Sequence, residues 1–180
     1  DPDHMRIQHD ISERIGEPLY GMAMLEEPLE VSTSTFKWAE QSDPFSYVGP
    51  HWVDLIYNYY RSKPVSLTAV GQKKRLVRDN INAYDAVQVR VDFDNGMSIY
   101  FHNNWITPDD FEGPVNQGHE IVGADGKVES DQQYRGLRFW HNGGGSRTVN
   151  NHMTRDVKRP DDSLAYVGYG VDSITVALVA

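Results

Sequence analysis

Isoleucines recur every fourth residue near the start of the chain, at Ile7, Ile11 and Ile15, with polar residues between them. That spacing predicts an amphipathic helix over residues 3–15, capped by Asp3 and stopped by Gly16 and Pro18. The apolar segment Leu19–Leu25, bounded by turn residues, predicts a strand. Residues 28–46 mix Pro, Ser, Thr and Asp around the large anchors Phe36, Trp38 and Phe45, and read as an irregular excursion. Gly49-Pro50 then opens a second helix, with Pro50 at the first helical position, where its missing N–H does no harm. This helix runs to about Arg61. It is apolar on every side except one stripe, His51, Asp54, Asn58 and Arg61, and is expected to be mostly buried.

From Pro64 the period changes to two. Val65, Leu67 and Ala69 alternate with polar residues and predict a strand reaching about Leu76. A hairpin follows, with Val87, Val89, Val91 and Phe93 before Asp94-Asn95-Gly96 and Met97, Ile99 and Phe101 after it. A two-residue Asn-Gly loop would put the two apolar rows on opposite faces. A three-residue loop, with Gly96 left-handed and Phe93 opposite Met97, aligns them and is the expected turn. Strands are also expected at 117–123 and 127–131, joined by Ala124-Asp125-Gly126, and at 137–140. Residues 142–163 hold almost no core-forming side chains and read as a long loop, functional or mobile. The chain closes with Tyr166–Ala180, where Asp172 or Ser173 is placed to cap a final helix. The sum is an α+β fold: an open, mostly antiparallel sheet of about six strands with helices on one face.

Composition narrows the class of function. The 180 residues, 39% of them hydrophobic, suffice for one core and one domain spanning 1–180. Net charge is -9, which argues against a nucleic-acid or anionic-membrane partner, since both reward clustered basic residues. No apolar run approaches the roughly 20 residues that cross a bilayer. The absence of cysteine removes disulfides, thiolate catalysis and Cys-ligated metal sites, and suits a reducing, cytoplasmic location. The chain opens Asp1-Pro2-Asp3-His4 without an initiator Met, as expected of part of something longer.

Several motifs imitate chemistry. Gly168-Tyr169-Gly170-Val171-Asp172-Ser173 imitates a dinucleotide fingerprint but lacks its third glycine, and Gly143-Gly144-Gly145 lacks a following Lys-Ser/Thr. No histidine falls in a metal-ligand pattern. His51 carries more weight. In the first turn of its helix it would feel the helix N-terminus, which favours the neutral ring, and Asp54, which favours the protonated one. A histidine poised between the two suits general acid/base work near neutral pH. The bland alternative, a histidine that caps a solvated stripe, stands beside it.

At this helix the sequence resembles a known family. Gly49-Pro50-His51-Trp52-Val53-Asp54-Leu55-Ile56 resembles the Gly-x-His-x-x-Asp-Leu segment of the C-terminal domain of the glucose–fructose oxidoreductase / inositol dehydrogenase (Gfo/Idh/MocA) family. Ile15-Gly16-Glu17-Pro18-Leu19-Tyr20 resembles the approach to that domain's first strand. The hairpin VRVDFDNGMSIYFHNNW, the stretch Glu120–Glu129 and the run Gly168–Ile174 resemble its later elements, in the same order.

The resemblance implies the second domain of a two-domain oxidoreductase acting on a sugar, polyol or related hydroxyl or carbonyl compound. The N-terminal Rossmann domain, which would hold NAD or NADP and a Glu-Lys-Pro catalytic lysine, is not in this chain. Ser62-Lys63-Pro64 is a false echo of that motif. The fragment by itself is therefore expected to hold no cofactor and to be inactive. His51 matches the family's catalytic histidine. Tyr47 stands where many members have an Asp, with Asp43 in the same loop, and substrate contact is assigned to Tyr47, Asp43 and Trp38. Asp54 reads as structural or as an orienting neighbour. The expected partners are a sugar-like small molecule, the Rossmann domain in cis, and a second copy, as homodimer or tetramer through the sheet. The alternative is a non-catalytic polyol-binding or dimerisation module.

Overall fold

The computed structural model describes residues 2–108, 111, 115–131, 136–141, 145–149, 154–158 and 164–168. Helix α1 (Pro2–Ile15) lays Ile7, Ile11 and Ile15 into the core, all fully buried, and the positive φ of Gly16 ends it. Asp3 lies inside its first turn instead of capping it. Strand β1 (Pro18–Pro28) is longer than the apolar segment that announced it. The excursion after it contains two short helical turns, Val31–Thr35 and Ala39–Gln41.

The second helix, α2 (Pro44–Tyr60), begins six residues earlier than expected. Asp43 is its N-cap, accepting from the N–H groups of Phe45 and Ser46 at 2.9 and 3.0 Å, and Pro44 holds the position expected of Pro50. Pro50 lies inside the helix, and His51 is an interior residue, not a first-turn one. The influence of the helix N-terminus on His51 therefore falls away.

Strand β2 (Pro64–Gln72) stops short of Leu76, which belongs to a 3₁₀ turn, Leu76–Asp79. Strands β3 (Ala86–Phe93) and β4 (Ser98–Thr107) form the expected hairpin. Phe93 N–H donates to Met97 O at 2.9 Å, and Gly96 sits at φ 86°, so the three-residue loop is correct. Strands β5 (Asn116–Gly123), β6 (Gly126–Asp131) and β7 (Gly136–His141) follow.

The stretch read as a long loop instead contains β8 (Gly145–Val149), paired with β7, and β9 (Thr154–Lys158), which joins β10 (Leu164–Gly168) in a separate two-stranded sheet. Ladder pairing there comes from the backbone, which needs no apolar alternation. The expected closing helix lies outside the described residues.

Among the described residues the main sheet has eight strands in the order β2-β3-β4-β1-β5-β6-β7-β8, with β1 and β4 its single parallel pair. Both described α-helices cover one face, and their apolar residues share one core with the inward row of the sheet, including Val89, Ile99, Phe101, Ile121 and Val128. Among the described residues no helix covers the other face. The α+β fold expected from the sequence is the one observed, with two more strands in the sheet.

Candidate functional site

Helix α2 is pinned across the sheet by Trp52, whose indole N–H donates to Met24 O of β1 at 2.9 Å. Trp52 is buried, which leaves its neighbour His51 exposed at the mouth of a cavity of about 760 Å³. The cavity lies against α1, α2 and the outer end of β1, and Glu27, Tyr47, His51, Asp54 and Asn58 line it. Asn58 donates from Nδ2 to the Asp54 carboxylate at 3.1 Å, so the polar stripe of α2 is internally braced.

Glu27 comes from β1. Strand alternation puts Ala23, Leu25 and Glu27 on the covered face, so a carboxylate occupies a core-facing position with 9% of its surface exposed. Its Oε2 accepts the indole N–H of Trp105 at 2.8 Å. Burial raises the carboxyl's pKa, opposed by the Trp105 hydrogen bond and by the nearby His51 ring. Trp105 is itself fixed from behind: its backbone N–H donates to Asp85 O, while the Asp85 carboxylate accepts three consecutive backbone N–H groups from Lys74, Arg75 and Leu76. Those donors hold Asp85 below the usual carboxylate range although burial works the other way.

Tyr47 on the cavity belongs to an aromatic cluster that stands behind it. Tyr47 packs against Phe36 and Trp38 at ring separations of 4.9 and 5.2 Å, and Phe36 stacks on Trp38 at 4.4 Å. Burial first, and the Glu27 carboxylate second, raise the Tyr47 phenol's pKa. Deeper in, His4 and Tyr59 line the cavity, with His4 Nδ1 and Tyr59 Oη 2.5 Å apart. His119 of β5 completes this cluster, its ring 5.0 Å from Trp52 and 5.8 Å from His4. It is buried, and among the described residues neither ring nitrogen has a hydrogen-bond partner. Burial depresses His119 to about 3 and His4 to about 4.

The family described as GFO/IDH/MocA C-terminal domain matches residues 11–129, well over half of the chain. The chain belongs to this family. Solved structures agree on the Gfo/Idh/MocA fold. An inositol dehydrogenase homolog from Azotobacter vinelandii, complexed with NAD+, superposes with TM-score 0.68 at 14% identity, over 82% of this chain and 40% of that one. An oxidoreductase from Agrobacterium radiobacter, in complex with NAD+, L-tartaric acid and magnesium, gives 0.66 at 19% identity over 88% and 46%. The UDP-N-acetylglucosamine 3-dehydrogenase of Acidithiobacillus ferrooxidans gives 0.62 at 19% identity over 82% and 44%. The Gfo/Idh/MocA domain described here thus spans less than half the length of these structures. No curated protein matches it in sequence.

Of the residues assigned from the sequence, the Gfo/Idh/MocA fold brings His51 and Tyr47 to one cavity. Trp38 stands behind Tyr47, and Asp43 is occupied as the α2 cap; neither lines the cavity. Sequence reasoning missed Glu27, Trp105 and His4. A signal for Glu27 was present: extending the alternation of β1 past Leu25 puts a carboxylate on the core row.

Proposed function

We propose that this domain is the substrate side of an NAD(P)-dependent oxidoreductase that interconverts a hydroxyl and a carbonyl on a neutral sugar or polyol, with His51 carrying the hydroxyl proton. The observation that supports this most is the cavity lining. It sets His51 beside hydrogen-bonding groups (Glu27, Asp54, Asn58, Gln117) and contains no Lys or Arg among the described residues. Carboxylates and amides accept from and donate to hydroxyl groups, whereas an anionic substrate would meet two carboxylates and no fixed cation. The Tyr47 ring offers a surface for the apolar face of a sugar ring.

The lining also contains no glycine and no strand–turn–helix phosphate cradle among the described residues, so the dinucleotide's pyrophosphate does not fit this wall. The nucleotide belongs to a Rossmann domain in cis; bound there, the nicotinamide supplies the hydride acceptor. Oxidising an alcohol takes a hydride from carbon and a proton from oxygen. The proton goes to His51, which is exposed at the cavity mouth and returns it to water. A location in the cytoplasm and assembly of two or four copies through the open sheet face belong to the same proposal.

A second reading is favoured by one residue. Tyr47, one turn before His51, supplies no carboxylate, as expected of a polyol-binding or dimerisation module without chemistry. A substrate panel separates the two. The full-length parent should reduce NAD or NADP with at least one neutral polyol or sugar and ignore sugar acids, and His51→Ala should abolish the signal. Binding of a polyol without any nicotinamide reduction would establish the second reading instead.

A further inference from the structure

The cavity follows one face of α2 for longer than a single sugar needs. His51, Asp54, Leu55 and Asn58 all line it, and their spacing by three and four residues puts them on that face. Asn58 is two turns past His51, about 10 Å along the helix axis. A pyranose ring is about as long as one helical turn, so a ring beside His51 covers only the first of the two. The nicotinamide has to meet the carbon beside His51, so it shares the His51 end and not the far one.

The far end lies on the seam between α1 and α2, where Gln8 Nε2 donates to Asn58 O at 3.2 Å. Two features there do nothing for the core. Met5 lines the cavity with 70% of its surface exposed, more than any other large apolar side chain among the described residues. Gln8 and Asn58 use their amide N–H groups within the protein, on Asn58 O and on Asp54, while Gln8 Oε1 and Asn58 Oδ1 accept no hydrogen bond from the described residues. An apolar side chain flanked by two amide acceptors suits a second sugar ring, which carries hydroxyl donors on its edge and C–H groups on its face. The lining contains no Lys or Arg among the described residues to take a phosphate, so the second unit is neutral and not a nucleotide.

We propose that the substrate is a neutral disaccharide or glycoside of two linked rings. The ring beside His51 is oxidised, and the second lies along α2 with its hydroxyls on Gln8 and Asn58 and its C–H face on Met5. This rests on the reading of His51 as the proton carrier. The alcohol carbon loses hydride to the nicotinamide, its oxygen loses the proton to His51, and the bond between the two rings stays intact. Binding energy from the second ring, remote from the reacting carbon, then raises turnover as well as affinity.

Two measurements test this. In the full-length parent, cellobiose, lactose, maltose, trehalose and sucrose are compared with glucose, galactose and fructose. At least one disaccharide should exceed its component sugars in kcat/KM on the order of 10²-fold. Gln8→Ala combined with Met5→Ser alters only exposed side chains and should bring that ratio to within about threefold. A general loss of stability lowers both substrates together and leaves the ratio in place. A single sugar used as well as any disaccharide, or a ratio unmoved in the double variant, would overturn the proposal. The second measurement separates it from the reading beneath it. In the ¹⁵N-labelled 180-residue chain, the disaccharides should shift the side-chain amide signals of Gln8 and Asn58, and glucose should shift them far less. Shifted signals with no sugar oxidised by the parent would sink the dehydrogenase reading and leave the two-ring site standing. Unshifted signals with every disaccharide would remove the site, whatever the parent oxidises.

Discussion

Acidification should destabilise this domain because of the two histidines, His4 and His119, buried beside Trp52. In the folded chain His119 titrates at about 3 and His4 at about 4, against 6.5 for an exposed ring, chiefly because burial penalises the charged form. Both are neutral in either state above pH 6.5. Below it the unfolded chain binds protons that the folded chain refuses, so stability is complete above the unfolded value and is lost as pH falls toward 4 and then 3. At about pH 5 the deficit is about 2 kcal/mol for each ring, about 4 kcal/mol together, a large part of an ordinary domain's stability. Asp10 is separable. Burial opposes its charge, but hydrogen bonds from His9, Arg6 and Arg14 hold it well below the usual range, so its contribution is lost only in stronger acid. Urea unfolding followed by tryptophan fluorescence between about pH 7.5 and about pH 5 reads the slope directly. His119→Phe fills the same space without a nitrogen, and should remove about half of the loss. A stability that is flat across this range, or a slope unaltered in His119→Phe, would refute the reasoning.

Two further perturbations probe other parts of the account. Asp43→Ala removes the α2 cap and should cost about 1 kcal/mol, read as a lower urea midpoint at unchanged slope; no change would mean that Pro44 alone starts the helix. The open face of the sheet exposes Tyr20, Met22 and Tyr100, with the Arg90 guanidinium 6.0 Å from the Tyr100 ring. Light scattering should show a dimer or larger assembly that Tyr100→Glu with Arg90→Glu dissociates; a monomer in the parent chain, or an assembly indifferent to both changes, would rule this interface out.

Much of the fold was legible wherever periodicity and turn chemistry agreed. Ile7, Ile11 and Ile15 marked α1, and the need to align Val87–Phe93 with Met97–Phe101 selected the three-residue turn. The start of α2 was misplaced because the chain offers two prolines, each able to open a helix. The deciding group is the Asp43 carboxylate, which captures two N–H donors before Pro50 is reached. Strands β8 and β9 were missed because ladder bonds left no apolar rhythm to detect. In the site, His51 was visible as part of a helical stripe. Glu27 and Trp105 are 78 residues apart in sequence, and no local pattern links them. Their meeting depends on β1 and β4 lying side by side in parallel, which only the topology reveals.

The central claim is that His51 carries the proton of a hydroxyl undergoing oxidation, and a single-turnover measurement on the full-length parent tests it most directly. His51→Asn keeps the polarity and much of the shape of the side chain but cannot accept the proton. With saturating substrate, the rate of nicotinamide reduction should fall by about 10²–10⁴-fold, while the substrate's Kd stays within a few-fold of the parent value. A reduction rate within about threefold of the parent would contradict the account and leave His51 a polar residue at the rim of the cavity.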